Sequence, residues 1–261
     1  MPSLLPIPIL TYHQIDEAPQ KGTPMRSLYV SANSFKRQMA ILKRLGYLGL
    51  SMSQLMPYIR GEKTGRVVGI TFDDGFLNNL QTAAPILNSV GFTSTCYAVS
   101  ALAGTTNTWD KELGVPSAEL MSVQHLREWI AAGQEIGSHT LTHRDLTQLD
   151  SAAALVEIAK SKTDLEQSLG VPISQFCYPY GSYDSVHIQM VREAGYAGAT
   201  TTVRGRVQPN QLTQAGDAAH TGNESSLLSL FELPRVHVVR STSWLQFLLK
   251  IGTAYEDNRS K

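Results

Sequence analysis

The stretch RVVGITFDD, residues 66–74, decides how this chain folds. Val67, Val68, Ile70 and Phe72 occupy both side-chain parities of an extended segment, so both faces are apolar. A strand with one face in water alternates apolar and polar residues. A strand covered by helices on both faces does not. This run then stops abruptly in two carboxylates, Asp73 and Asp74.

Six more stretches have the same form: IPILTYH (7–13), TSTCYAVS (93–100), QEIGSH (134–139), SQFCYPY (174–180), AGATTT (197–202) and PRVHVVR (234–240). Helical patterns separate them, at 31–47, 77–92, 122–133, 150–170, 183–195 and 241–252. In the first, Phe35, Met39 and Leu42 share a stripe. The third has a Ser122 cap, an apolar stripe of Val123, Leu126 and Ile130, and a closing Gly133. Alternation of strand and helix predicts parallel strands with right-handed crossovers. Seven such units predict a barrel, one unit short of the common eight.

Composition agrees. The chain has 261 residues, 42% hydrophobic and 17% charged, enough for one large core, and residues 1–261 read as one domain. Twenty-two basic residues balance 22 acidic ones, so no net field draws the chain to nucleic acid or an anionic membrane. No stretch reaches the roughly 18 apolar residues of a membrane span. Pro6 and Pro8 interrupt the N-terminal apolar run, which predicts a cytoplasmic protein, or an extracytoplasmic one if a signal segment is removed. Cys96 and Cys177 lie within apolar strands and read as buried thiols.

In such barrels chemistry gathers at the C-terminal strand ends. Here those ends carry His13, Asp73 and Asp74, Ser100, His139 with His143 close behind, Tyr178-Pro179-Tyr180, Thr201-Thr202, and Arg240. Adjacent carboxylates repel each other, and a cation relieves them. Taken alone, DDG is also good turn chemistry, and an H-x-x-x-H pair is weak as a ligand signal. Two imidazoles and one carboxylate together match the open tridentate pattern of catalytic zinc. Two long irregular segments, 101–121 with Trp109 and 203–232, follow strand ends, and loops of that length are usually functional.

Together, TFDDG, GSHTLTH and YPYG resemble the polysaccharide deacetylases of carbohydrate esterase family 4, the NodB-homology domain, over about residues 5 to 250. The resemblance implies a distorted (β/α)7 barrel and one divalent metal, zinc first, with cobalt, nickel, manganese and iron open. By the same resemblance Asp73 is the general base, and Asp74, His139 and His143 are the ligands. The Tyr180 N–H helps form the oxyanion hole, while Pro179 and Tyr178 shape the groove. Trp109 and Tyr178 are candidates to stack on sugar rings.

Two positions depart from the family pattern. Cys177 stands where the family carries an arginine two residues before the proline, and Arg235 is the candidate replacement. The late Leu-x-His motif that carries the general acid has no match, and His237 reads as a packing histidine. The opening ILTYH is similar to the first strand of circularly permuted poly-N-acetylglucosamine deacetylases. This makes His13 the acid, expected across the pocket from Asp73. The implied substrate is an N-acetylated amino sugar, glycan or exopolysaccharide. A same-fold amidohydrolase of an N-formyl or N-acyl metabolite is the alternative, followed by a non-catalytic carbohydrate-binding module.

Overall fold

The structure is a computed structural model describing residues 5–209 and 229–259. Of the long segment 203–232, residues 210–228 lie outside the described residues. Seven parallel strands form the barrel: β1 (Ile9–Tyr12), β2 (Val67–Phe72), β3 (Thr95–Ala98), β4 (Glu135–Ser138), β5 (Gln175–Cys177), β6 (Gly198–Arg204) and β7 (Leu233–His237). Neighbours in the sequence pair in order, and β1 closes the ring between β7 and β2. Leu10 pairs with Val236 on one side and with Ile70 on the other.

The distortion sits at β2. A short strand not foreseen from the sequence, Leu48–Leu50, pairs with its first half, Leu48 opposite Val67. Only the second half pairs with β3, Thr71 opposite Thr95. A second unforeseen pairing joins Gln14–Ile15 to Tyr29–Val30 just after β1.

Among the described residues there are seven α-helices: α1 (Ala32–Arg44), α2 (Met52–Ile59), α3 (Ala84–Val90), α4 (Val123–Ala131), α5 (Ser151–Leu169), α6 (Ser185–Glu193) and α7 (Trp244–Gly252). Ser31, Ser122, Asp150, Asp184 and Ser243 each accept a backbone N–H at a helix start. These bonds satisfy donors that the first turn leaves unpaired. Helix α2 has no place in the pattern read above. It is short and carries Pro57, which argues against a helix there, and its Ser51 side chain makes no cap bond.

Strand parity divides the core. Leu10, Tyr12, Ile70, Phe72, Phe176 and Tyr178 pack outward against Phe35, Met39, Leu42 and Trp129 of the helices. The alternate residues Ile9, Val67, Tyr97, Cys177 and Leu233 face inward and join Met52, Leu55, Met56 and Ile59 of α2. Both faces are therefore buried, which is why RVVGITFDD is apolar at both parities. Continuing the inward parity past these residues reaches Asp73 on β2 and Arg235 on β7. Among the described residues, no helix is long and apolar enough to cross a membrane.

Candidate active site

The strand ladder extends into the site. Asp73 N–H donates to Tyr12 O (3.0 Å), and His139 N–H to Ala98 O (2.9 Å). These bonds fix the first site residue past each strand in the barrel's register.

The two carboxylates are relieved by different partners. Asp73 is 3% exposed and Arg235 only 1%. Arg235 donates through Nη1 to Asp73 Oδ1 (2.7 Å) and through Nη2 to Oδ2 (2.8 Å), a two-pronged charge-assisted pair. Arg235 is itself held by Thr201 O (2.8 Å) and by the Thr71 hydroxyl (3.2 Å). Its Nη2 also lies 3.3 Å from Cys177 Sγ. The arginine from β7 thus reaches the position beside Cys177. Burial would push the Asp73 carboxyl up, but Arg235 outweighs it and holds the group at about 2.

Asp74 turns away from this pair. Its Oδ1 lies 3.4 Å from His139 Nε2 and 3.3 Å from His143 Nε2, and all three side chains are buried. One carboxylate oxygen and two imidazole nitrogens therefore converge on one point, and the set fits a divalent cation. His139 Nδ1 is 2.8 Å from Cys177 O, a contact that leaves Nε2 for the cation. Burial pushes His143 down, which favours the neutral, ligating imidazole.

The backbone here is strained. Among the described residues five non-glycines have positive φ, and four belong to the site: Asp74 (74°), Thr140 (65°), His143 (63°) and Tyr180 (59°). Each such residue costs about 1–3 kcal/mol and persists only where its surroundings over-determine it. Gly181 shows how tight the turn is, since a Cβ there would sit 1.8 Å from Thr202 Oγ1.

His13 follows β1, and its carbonyl accepts from Asn79 Nδ2 (2.8 Å) in the π-helical turn Asn79–Ala83 before α3. Its Nε2 stands 3.8 Å from Asp73 Oδ2, beside the carboxylate rather than across the pocket as expected. His237 ends β7 with Nε2 2.9 Å from Thr202 O. Burial and the neighbouring Arg235 push it down to about 4, so it is neutral near pH 7.

The aromatic expectations divide. Trp109 stacks on the His143 ring, centroids 4.3 Å apart at 18°, so one of its faces is already covered. Tyr180 meets the same imidazole edge-on at 4.8 Å and remains 49% exposed. Tyr178 corrects the reading above. It is fully buried, its hydroxyl donates to Phe231 O (3.2 Å), and its ring stacks on Tyr183, so no face is free for a sugar. Outward parity places it in the core. Pro179 is buried beside it.

Several residues were not foreseen. The Thr11 hydroxyl lies 3.4 Å from Asp73 Oδ2, and Thr140 Oγ1 accepts His143 N–H (3.1 Å). Asp110, next to Trp109, is buried with a raised pKa, from burial first and then from the Asp74 charge. Only Thr140 carried a signal, since it lies between the two histidines. The segment 101–121 is pinned to the Asp74 turn by Met121 N–H to Gly75 O (2.8 Å) and Leu77 N–H to Glu119 O (2.9 Å).

A parallel barrel with an arginine-held carboxylate beside a carboxylate–imidazole cluster is the architecture of a metal-assisted hydrolase. A family model described as polysaccharide deacetylase matches residues 60–199. That is more than half the chain, and the protein belongs to the polysaccharide deacetylase family. YxkH of Bacillus subtilis (strain 168) is 27% identical over 207 residues, 78% of this chain and 67% of that one. BC0361, a polysaccharide deacetylase from Bacillus cereus, is 26% identical with a TM-score of 0.73, covering 95% of this chain and 69% of that one. The Streptococcus pyogenes deacetylase PplD, in complex with acetate, shares the fold at 24% identity and a TM-score of 0.77, covering 95% and 99%. Members of this family are hydrolases of carbon–nitrogen bonds and use a divalent metal.

Proposed function

We propose that residues 1–261 form one NodB-homology domain that removes N-acetyl groups from an amino-sugar glycan, with zinc as the cation held by Asp74, His139 and His143. The observation that carries this reading is the pairing of two buried units: three convergent ligand atoms and, one residue away, a carboxylate fixed by Arg235. Two nitrogens and one oxygen suit zinc. Because β1 pairs with both the last and the second barrel strand, barrel closure brings His13 from the start of the chain to the same rim as Asp73.

A cation at this site would supply Lewis-acid activation of water and of the acetyl carbonyl. The chain's own groups do the rest. Asp73, ionised at neutral pH, accepts the proton of the attacking water, and Arg235 keeps its oxygens aimed. The Tyr180 N–H donates to the oxyanion as it develops, a contribution of about 3 kcal/mol for one well-placed donor. His13, protonated, gives its proton to the departing amine nitrogen, without which an amide does not release nitrogen. Tyr180 and the open face of Trp109 are the aromatic surfaces left to meet a sugar ring.

The test is acetate release by purified, zinc-loaded protein from N-acetylated oligosaccharides, run beside N-formyl and small N-acyl amides. The reading expects release from the glycans. Turnover confined to the small amides would replace it with the small-molecule amidohydrolase reading.

A further inference from the structure

The loop His139–His143 carries both imidazoles and contains two left-handed residues, Thr140 and His143. A β-branched threonine in that region is a steric outlier. Something outside the loop must hold it there. Ser100 N–H donates to Thr140 O (3.2 Å) and Ala101 N–H to Leu141 O (2.9 Å), which secures the carbonyl side.

The amide side is secured by one residue of α5, Glu157, 6% exposed in the middle of a 19-residue helix. Its Oε2 accepts two consecutive backbone N–H groups, Leu141 (3.0 Å) and Thr142 (2.9 Å). Its Oε1 accepts the Thr142 hydroxyl (2.5 Å). Leu141 and Thr142 are the two residues between the left-handed pair. One carboxyl group therefore fixes the 140–141 and 141–142 peptide planes that lead into His143, whose own N–H is held by Thr140 Oγ1. The helix beneath is firmly seated, with Ala154, Ile158, Ser161 and Leu165 buried on the same side.

We propose that Glu157 is a positioning residue for the metal site: by clamping the amides of Leu141 and Thr142 it holds His143 in its ligating orientation without touching the cation. This rests on the reading of Asp74, His139 and His143 as the ligands. Groups one step behind a ligand typically govern metal affinity by 10–100-fold. Gln at 157 keeps the size but offers a single acceptor oxygen, so one leg of the clamp is lost or meets an N–H.

The experiment measures zinc affinity of the full chain by competition with a chromophoric chelator, together with the melting temperature of the metal-free protein. Glu157→Gln should bind zinc about 10–100-fold more weakly. With saturating zinc its kcat should return close to wild type with KM unchanged. Glu135→Gln is the control for a merely structural role. Glu135 also gathers several donors, Ser53 N–H (3.1 Å) and the Ser53 and Thr95 hydroxyls, but where β4 begins, at the far end of the barrel. That variant should melt lower and keep wild-type zinc affinity. Should Glu157→Gln fail to fold, Thr142→Val removes only the hydroxyl leg and should weaken zinc binding severalfold. Wild-type protein that binds zinc, with variants that bind it equally tightly, overturns the role of Glu157 alone. Wild-type protein that binds no zinc overturns the ligand reading and this inference with it.

Discussion

The Asp73 carboxyl is pulled in opposite directions, upward by burial and downward by Arg235, and settles at about 2. This lies below the ~3.9 of an unfolded aspartate. The pair therefore stabilises the fold fully above about pH 4 and loses that contribution as pH falls towards 2. Removing the arginine reverses the balance. In Arg235→Met burial is opposed only by the weaker pull of His13 and His139, so the pKa of the proposed base rises, and the acid limb of the kcat/KM profile should move to higher pH. An unmoved limb would mean that Arg235 does not tune the base. At His13 the prediction concerns the leaving group. His13→Ala should lose amide hydrolysis by ~10²–10⁴-fold, the usual range for a general acid. It should spare an activated aryl ester, whose leaving group needs little protonation. Equal losses on both substrates would move the acid elsewhere. His237, held near 4, would be a poor donor at neutral pH.

Elements explain which residues meet a substrate. A strand alternates its faces, and a single step of parity separates Cys177, inside the barrel, from Tyr178, packed under the helices. Tyr178→Phe should therefore lower stability by about 1 kcal/mol, the usual worth of one buried hydrogen bond, and leave KM for glycan unchanged. A raised KM with unchanged melting would return Tyr178 to the groove. The seven strands were legible in the sequence because runs such as RVVGITFDD are apolar on both faces. Helix α2 was not, although Ser51 and the spacing of Met52, Leu55, Met56 and Ile59 are helical, because Pro57 inside a run of only eight residues argues against a helix. The strand Leu48–Leu50 was not, because three residues, one of them glycine and one exposed, carry no readable period.

At the scale of the molecule, barrel closure assembles the site from both ends of the chain. The Asp73–Arg235 pair spans 162 positions and sits one strand pairing away from β1, which His13 follows. Local groupings such as FDDG and HTLTH were legible because their donors lie within a few residues. The clamp on the His143 loop was not, since one glutamate on a long helix reads as a solvated face. The proposed mechanism divides labour between adjacent residues, Asp74 holding the metal and Asp73 taking the proton. The most direct measurement is metal content per chain, paired with turnover, in wild type, Asp74→Asn and Asp73→Asn. The account predicts about one divalent ion in wild type, its loss in Asp74→Asn, and its retention in Asp73→Asn with turnover down ~10²–10⁴-fold. A metal-free wild type with full activity, or an Asp73→Asn that loses the ion while Asp74→Asn keeps it, would contradict the account.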